Sequence, residues 1–216
     1  MCFYFRQSKE ALTIANRFKI KMKDNEPVIK SDFINGFGNP LCQIITNKES
    51  EKLSYYNWGL LPEGADLSIM KYTLNGRIET ITEKRSFSGV VNNRCLIIAD
   101  GFYEWKETNI NGKKQKQKYL FTIDDEELFS FAGLYSHWYD NIKNIDYKTF
   151  TILTTVADSV VAAVHSKGRM PVILKREDET DFLNGENLSN YSYPYSQYLI
   201  ATPVIQNNES AQNLLF

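Results

Sequence analysis

The sequence has few of the side chains that disulfide frameworks and metal sites need. Its 216 residues include three cysteines, Cys2, Cys42 and Cys95, and two histidines, His137 and His165. An odd number of cysteines, with no two close together in the sequence, argues against a disulfide framework and against a zinc site. Two histidines also make a metal cluster improbable. We therefore expect neither a metal nor another cofactor.

Long apolar runs and a strong net charge are also absent. No stretch approaches the roughly 18 apolar residues of a membrane span, and no basic segment followed by an apolar one marks a signal peptide. The net charge of −1 excludes a protein that binds nucleic acid through its overall charge, so such binding must depend on a local basic patch. We expect a cytoplasmic monomer without a membrane partner, whose cysteines stay reduced.

The chain does have enough apolar residues for one substantial core. Hydrophobic residues make up 43% of the sequence and aromatic residues 13%, which fits a single domain over residues 1–216 with a loosely held tail after about residue 203. Predicted strands outnumber helices and follow one another at hairpin spacing. This pattern predicts the α+β class: mostly antiparallel, barrel-like sheets with short peripheral helices.

Nine segments have the apolar and β-branched composition of strands: 42–46, 55–60, 94–99, 102–106, 119–123, 129–134, 148–154, 171–174 and 198–202. Helices are predicted after an N-cap at Ser8, with an apolar face that includes Leu12, and at 157–164 and 177–183. Residues 73–81 suggest a loop that enters a short helix. The lysine-rich segment 109–118 is predicted as a hairpin tip that turns at Asn111-Gly112. Its lysines fit a solvated tip better than a DNA contact.

Cys2 directly follows Met1, and its small size generally permits removal of Met1. Cys2 would then carry a free thiol and a free α-amine on adjacent carbons. Such an aminothiol can take an aldehyde as a Schiff base and then close a five-membered thiazolidine ring, an intramolecular step that proximity favours. The alternative is that Cys2 is an ordinary buried thiol near the start of the chain.

Two further residues are candidates for moving protons. Glu104 lies between Phe102, Tyr103 and Trp105, where partial desolvation should raise its pKa and suit it to general acid–base work. It could equally pair with an arginine in the core. His165 lies in a glycine-containing loop before a strand and could be a proton shuttle or a structural histidine.

Other polar and aromatic residues allow two interpretations each. Arg77 and Arg85 could bind phosphates, because guanidinium groups match phosphate oxygens, or could pair with Glu79 and Glu83 on the surface. Trp58 opens the segment W-G-L-L-P, which alone is a strand that runs into a turn and fits the core best.

Taken together, the segments resemble the SOS-response-associated peptidase family, whose members covalently capture abasic sites in single-stranded DNA. The resemblance rests on Cys2, W-G-L-L-P from residue 58, N-G-R-I-E-T from 75, C-L-I-I-A-D-G-F-Y-E-W from 95, and His165 with R-M-P-V-I-L from 169, all in family order. The chain departs from the family where Phe3 and Tyr4 replace the usual Gly-Arg, which leaves Arg6 as the nearest arginine. Ile98 stands where proline is common, and the loop after His165 is longer than in the shorter members.

The resemblance implies roles for individual residues. Cys2 would form the thiazolidine, Asn75 would orient the amine and the opened sugar, and Glu104 and His165 would move protons. Five further residues would contact DNA, three through phosphates and two along its path: Arg77, Arg85, Arg169, Trp58 and Trp105.

The resemblance predicts an abasic-site sensor that crosslinks to single-stranded DNA and protects it, associated with the nucleoid when bound. Lyase activity and self-removal of Met1 could accompany the crosslinking. One alternative is a peptidase or self-processing hydrolase that uses Cys2 as an N-terminal nucleophile. Another is a noncatalytic module that binds single-stranded DNA through aromatic and basic residues.

Overall fold

The computed structural model describes residues 1–22, 27–110, 113–124 and 127–205. Within them the chain forms thirteen strands: β1 Tyr4–Gln7, β2 Ser31–Asn35, β3 Leu41–Thr46, β4 Glu49–Trp58, β5 Asn75–Arg77, β6 Arg94–Ala99, β7 Gly101–Ile110, β8 Lys113–Ile123, β9 Phe129–Asp140, β10 Ile145–Val156, β11 Arg169–Pro171, β12 Ile173–Leu174 and β13 Leu199–Pro203. The α-helices in the same residues are α1 Ala11–Phe18, α2 Arg85–Ser88, α3 Ser159–Ala162 and α4 Glu179–Leu183. The predicted turn at Asn111-Gly112 and residues 206–216 of the predicted tail lie outside the described residues.

The strands form two sheets, one of which closes on itself. The open sheet has the order β13-β8-β7-β1-β2, and all its pairings are antiparallel. In the other, β10-β4-β3-β6-β9 closes into a barrel because β9 also pairs with β10, while β5, β11 and β12 extend it. β10 runs parallel to β4 and β5 and antiparallel to β9 and β11. The predicted α+β class with barrel-like, mostly antiparallel sheets is confirmed.

Strand β6 shows why the core has two parts. Its first, third and fifth apolar residues, Cys95, Ile97 and Ala99, belong to one buried cluster, which also includes Cys2 and Phe5. Its alternate residues, Leu96 and Ile98, belong to a second cluster, which packs under α1 and α4. Because side chains alternate across a strand, a continuous apolar run is what a strand buried on both faces requires.

A buried aspartate fixes the start of the chain at the corner between β6 and β7. Asp100 forms an ion pair with Arg6, 2.7 Å between Nε and Oδ2, and accepts hydrogen bonds from the backbone and hydroxyl of Ser8 at 2.9 and 2.6 Å. A Cβ on Gly101 would approach Leu120 Cδ1 to 2.7 Å, so a larger residue at this corner would require the Leu120 side chain to move. These contacts set β1 beside β7 and bring Cys2 close to Glu104.

The first helix differs from its prediction. Ser8 is not its N-cap, because its side chain is bonded to Asp100 and the helix begins at Ala11 after Glu10, which provides no side-chain cap. Leu12 is 72% exposed, whereas Ile14 is buried. The predicted apolar face is therefore wrong at Leu12.

Other elements are shorter or different in kind. Asn75 begins a short strand rather than lying in a loop, because residues 75–77 pair with β10. The helix predicted at 157–164 is limited to Ser159–Ala162 and is capped by the side chain of Asp158. Among the described residues, no helix has the length and apolar character needed to cross a membrane.

Candidate active site

The structure holds Cys2 in a fixed position just before β1. Its side chain is fully buried, and its carbonyl accepts a hydrogen bond of 2.8 Å from Asn75 Nδ2. The Sγ atom lies 3.7 Å from the carbonyl oxygen of Tyr4. Burial, followed by the negative charge of Glu104, raises the pKa of the thiol, so the sulfur is a neutral thiol at neutral pH.

The N-terminal amine lies against the two predicted proton-transfer residues. The nitrogen of Met1 is 3.2 Å from His165 Nε2 and 3.8 Å from Glu104 Oε1. His165 Nδ1 is in turn 3.1 Å from Glu104 Oε2. If Met1 is removed, the amine passes to Cys2, about 3.8 Å away from Cα to Cα. The three groups therefore converge within one residue of the position where an N-terminal Cys2 would carry its amine.

Burial shifts the titration of both side chains. The pKa of Glu104 rises to about 7, mainly because burial disfavours its charge, while the amine and Lys167 act against the shift. The pKa of His165 falls to about 4 because of burial and the nearby positive charges of the amine and Lys167. Near neutral pH the pair is therefore a neutral imidazole beside a carboxyl group that is about half protonated. Glu104 contacts these groups rather than a core arginine.

Asn75 connects the start of the chain to the barrel. Strand β5 places it beside Ile152 of β10, and its amide nitrogen holds the Cys2 carbonyl. Its Oδ1 atom is buried and has no hydrogen-bond partner in the part of the chain that the structure describes, and Glu104 Oε1 likewise lacks one. Unpaired buried acceptors are costly, so both oxygens are available to accept hydrogen bonds from a bound group.

The three predicted phosphate-binding arginines differ in their surroundings. Arg77 and Arg85 are exposed, and neither pairs with an acidic residue among the described residues. Arg169 is instead held by Glu79 through two hydrogen bonds of 2.8 and 2.9 Å, and by the carbonyl of Thr154 at 2.5 Å. Burial opposes the effect of Arg169 on Glu79, but the pKa of Glu79 is lowered overall. Arg169 is therefore already occupied within the protein.

The two tryptophans lie in different places. Trp58 is fully buried, stacks on Phe150, and donates a hydrogen bond of 2.8 Å from its ring nitrogen to the carbonyl of Leu74. It cannot reach DNA in this structure and instead supports the residue that precedes Asn75. Trp105 is half-buried and contacts Tyr4 edge to face, with 4.8 Å between ring centroids.

Sequence reasoning missed Lys167. Lys167 is exposed, and its charge lowers the pKa values of Glu104, His165 and the amine. Its position between His165 and Arg169 was the available signal. Arg6, the arginine nearest Cys2, is committed to Asp100. Among the described residues, no three His, Cys, Asp or Glu side chains are grouped in a way that could hold a metal ion.

Comparisons with known proteins identify the family of the chain. A family model described as SOS response associated peptidase (SRAP) matches residues 1–208. The abasic site processing protein YoqW of Bacillus subtilis is 35% identical over 189 residues, which cover 87% of this chain and 82% of that protein. The abasic site processing protein HMCES of Gallus gallus is 32% identical over 143 residues, 56% of this chain and 41% of that protein. A crystal structure of a Bacteroides thetaiotaomicron protein matches with a TM-score of 0.83 and 29% identity, covering 94% of this chain and 92% of that one.

Proposed function

The chain belongs to the SOS response associated peptidase family, and we propose that it captures abasic sites in single-stranded DNA through a covalent bond to Cys2. The observation that carries the proposal is the convergence of the N-terminal amine, Glu104 and His165, with contacts of 3.1 to 3.8 Å. The names of the relatives, abasic site processing proteins, supply the substrate. The protein acts in the cytoplasm as a monomer, associated with the nucleoid when bound.

Maturation comes first. Hydrolysis of the bond between Met1 and Cys2 consumes one water, releases methionine, and leaves the free amine on Cys2. Whether the site performs this hydrolysis itself or an aminopeptidase does so, the product is the same aminothiol. Burial lowers the pKa of the Met1 amine at this site, and we expect the same direction for an amine on Cys2, which would increase its neutral, nucleophilic fraction.

The sugar must then open. In its closed form, an abasic deoxyribose hides its aldehyde as a hemiacetal. The protonated fraction of Glu104 gives a proton to the ring oxygen, while neutral His165 accepts the proton of the hemiacetal hydroxyl and returns a proton to Glu104 across their 3.1 Å contact; no atoms are gained or lost. These transfers are supported by the pKa of about 7 for Glu104 and about 4 for His165, which leave Glu104 about half protonated and His165 neutral at pH 7.

Capture follows in two steps. The Cys2 amine adds to the aldehyde carbon and water leaves, assisted by a proton from Glu104, which gives a protonated Schiff base. The thiol sulfur then bonds to the same carbon, its proton goes to the Glu104 carboxylate, and the thiazolidine closes. The balance is aldehyde plus aminothiol to thiazolidine plus one water, with no oxidant or reductant. A buried neutral thiol suits this step, because a thiolate is not required for attack on a protonated Schiff base.

The DNA path uses the arginines that remain free. We assign phosphate contacts to Arg77 and Arg85, which are exposed and unpaired among the described residues. Arg169, held by Glu79 and Thr154, supports the β10–β11 edge near His165. Trp58 acts from the core by fixing the backbone before Asn75.

The test is covalent adduct formation with an oligonucleotide that contains one abasic site, measured on a denaturing gel and by intact mass. Wild-type protein should gain the mass of the DNA minus one water, and Cys2→Ala should form no heat-stable adduct. The matched control inserts one alanine between Met1 and Cys2, which keeps the thiol but moves the amine off Cys2. A thiazolidine-type adduct from that control would refute the proposal.

Peptide hydrolysis by Cys2 is the less favoured alternative. A peptidase thiol is normally activated as a thiolate, whereas burial raises the pKa of the Cys2 thiol. The same mass measurement with a peptide mixture separates the two, because hydrolysis yields fragments and leaves the protein unmodified.

A further inference from the structure

A group of aromatic side chains lies at the start of β1, mainly on the side of the open sheet away from the core. It consists of Phe3, Tyr4, Phe33, Phe37 and Trp105, which we call the aromatic platform. Side chains alternate along a strand, so Phe5 points into the core while its neighbour Tyr4 points to the other face. Trp105 is placed on the same outer side by its position one residue after the inward-pointing Glu104.

The rings are ordered by contact with one another. Phe3 and Phe37 are stacked with centroids 4.8 Å apart, and Tyr4 and Phe33 are stacked at 5.0 Å. Trp105 meets Tyr4 at 4.8 Å and Phe33 at 6.5 Å, both edge to face. Such offset and edge-to-face pairs hold rings in fixed orientations. The platform is therefore a preformed surface.

The platform leaves two large rings open to solvent. Phe33 is 41% exposed and Phe37 is 54% exposed. Single exposed apolar residues are common, but a contiguous group of aromatic rings on a protein surface marks an interaction site. Their partner must offer flat apolar faces.

Positive charge adjoins the platform. Lys118 of β8 lies opposite Trp105 in the sheet, and its Nζ atom is 4.1 Å from the ring centre of Phe33 and 4.0 Å from that of Tyr103. Lys114 lies in the exposed first part of the same strand, and Lys116 beside it pairs with Glu107 at 3.7 Å. Aromatic rings beside lysines match a partner that has both π-faces and negative charge, which describes single-stranded nucleic acid.

The platform is also continuous with the candidate active site. Phe3 and Tyr4 immediately follow Cys2, and two extended residues span no more than about 7 Å. This distance is about two base spacings of a stacked strand, at 3.4 Å each. Bases that flank a sugar bonded to Cys2 would thus lie within reach of the rings. Within the part of the chain that the structure describes, Arg6, the arginine nearest to Cys2 in the sequence, is paired with Asp100.

We propose that the aromatic platform stacks unpaired bases on one side of the captured abasic nucleotide. This inference rests on the proposed function for its substrate. Stacking is tolerant of sequence, because every base has a π-face. The platform therefore contributes affinity for the unpaired strand without selecting the flanking base.

The test measures non-covalent binding, using an oligonucleotide with a tetrahydrofuran abasic analogue that cannot form a Schiff base. The fluorescent base 2-aminopurine is placed one or two positions from the analogue on either side. Phe33→Ala and Phe37→Ala should each weaken binding by about fivefold to 150-fold, and should reduce the quenching of 2-aminopurine on one side. Phe37→Trp should keep both the affinity and the quenching of 2-aminopurine. The slope of log K against log salt should not change in the alanine variants, because no phosphate contact is lost.

Tyr139→Ala is the matched control. Tyr139 is 49% exposed and pairs with Asp146 on β10, six residues along that strand from Ile152, the partner of Asn75, and so about 20 Å from that part of the site. The platform proposal would be overturned if Tyr139→Ala lost as much affinity as the phenylalanine variants. It would also be overturned if both phenylalanine variants kept wild-type binding and quenching.

The two proposals fail in different ways. If the protein binds DNA through the platform but forms no adduct with a reactive abasic site, the platform proposal is kept and covalent capture is rejected. If both phenylalanine variants crosslink and bind as the wild type does, covalent capture is kept and the platform proposal is rejected. A surface that serves a protein partner instead would give this second result.

Discussion

Replacing Glu104 by glutamine tests the mechanism most directly. Glutamine keeps the shape of the side chain and can still hydrogen-bond to His165, but it cannot give up a proton. Loss of a general acid typically slows a reaction by about 10²–10⁴-fold. We expect Glu104→Gln to crosslink abasic DNA slower by that factor near pH 7, and still to form the adduct, because Cys2 retains its amine and thiol.

The pH dependence gives a second, independent signature. With a pKa of about 7, the protonated fraction of Glu104 is about one half at pH 7 and about one hundredth at pH 9. The wild-type rate should therefore fall above pH 7, and this limb should be missing in Glu104→Gln. The assay is single-turnover crosslinking with excess mature protein from pH 5 to 9, read on denaturing gels. Glu107→Gln, an exposed change on the same strand, is the control and should behave as wild type.

Stability should change with the same group. Because the folded-state pKa of Glu104 is raised from 4.5 to about 7, the folded protein binds this proton more tightly than the unfolded chain. Its contribution to stability is present below pH 4.5 and is lost as the pH rises through 7, by up to about 3 kcal/mol. Urea unfolding at pH 5 and pH 8 should show that drop in wild type and not in Glu104→Gln. If the variant crosslinks at the wild-type rate throughout and shows the same drop, Glu104 is not the acid.

Three further changes have distinct readouts. His165→Ala should slow crosslinking by a similar factor at every pH from 5 to 9, since the pKa of His165 is about 4 and its charge does not change over that range; a changed profile shape would contradict this. Arg77→Ala should make the slope of log K against log salt shallower by about 0.7, the share of one phosphate on a single strand, whereas the exposed Arg176→Ala should leave it unchanged. Asp100→Ala should lower the free energy of unfolding by about 3–5 kcal/mol, because it removes a buried partner of an ion pair; urea midpoints near wild type would show that the corner is dispensable.

The sequence predicted those elements of the fold that depend on residues close together in the chain. Strand β6 is confirmed at Arg94–Ala99. A short, continuous run of apolar residues fits a strand that is buried on both faces. Closure of the barrel depends on β10, which pairs with both β4 and β9. Such pairings join distant parts of the chain, and the sequence of either strand alone does not predict them. Ser8 has a favourable N-cap composition, yet its partner is Asp100, 92 residues away, and this tertiary contact overrides the local preference.

The site shows the same division. The aromatic neighbours of Glu104 indicated a raised pKa, and the structure gives burial as its leading cause. Arg169 has the residue type of a phosphate ligand, but Glu79 already binds its guanidinium group. Trp58 has an aromatic ring suited to DNA, but that ring lies in the core. Residue type predicted which chemistry each side chain is capable of, whereas availability depended on partners far away in the sequence.

The long separations within the site set the order of events during synthesis. The amine of Met1 contacts His165 across 164 residues and Asn75 holds Cys2 across 73. At about 5–20 residues per second, the ribosome adds His165 roughly 8 to 30 seconds after the first residue. An aminopeptidase that meets the emerging chain therefore acts on a flexible end with no site around it. Any removal of Met1 by the protein itself must wait until nearly the whole chain has been made and folded.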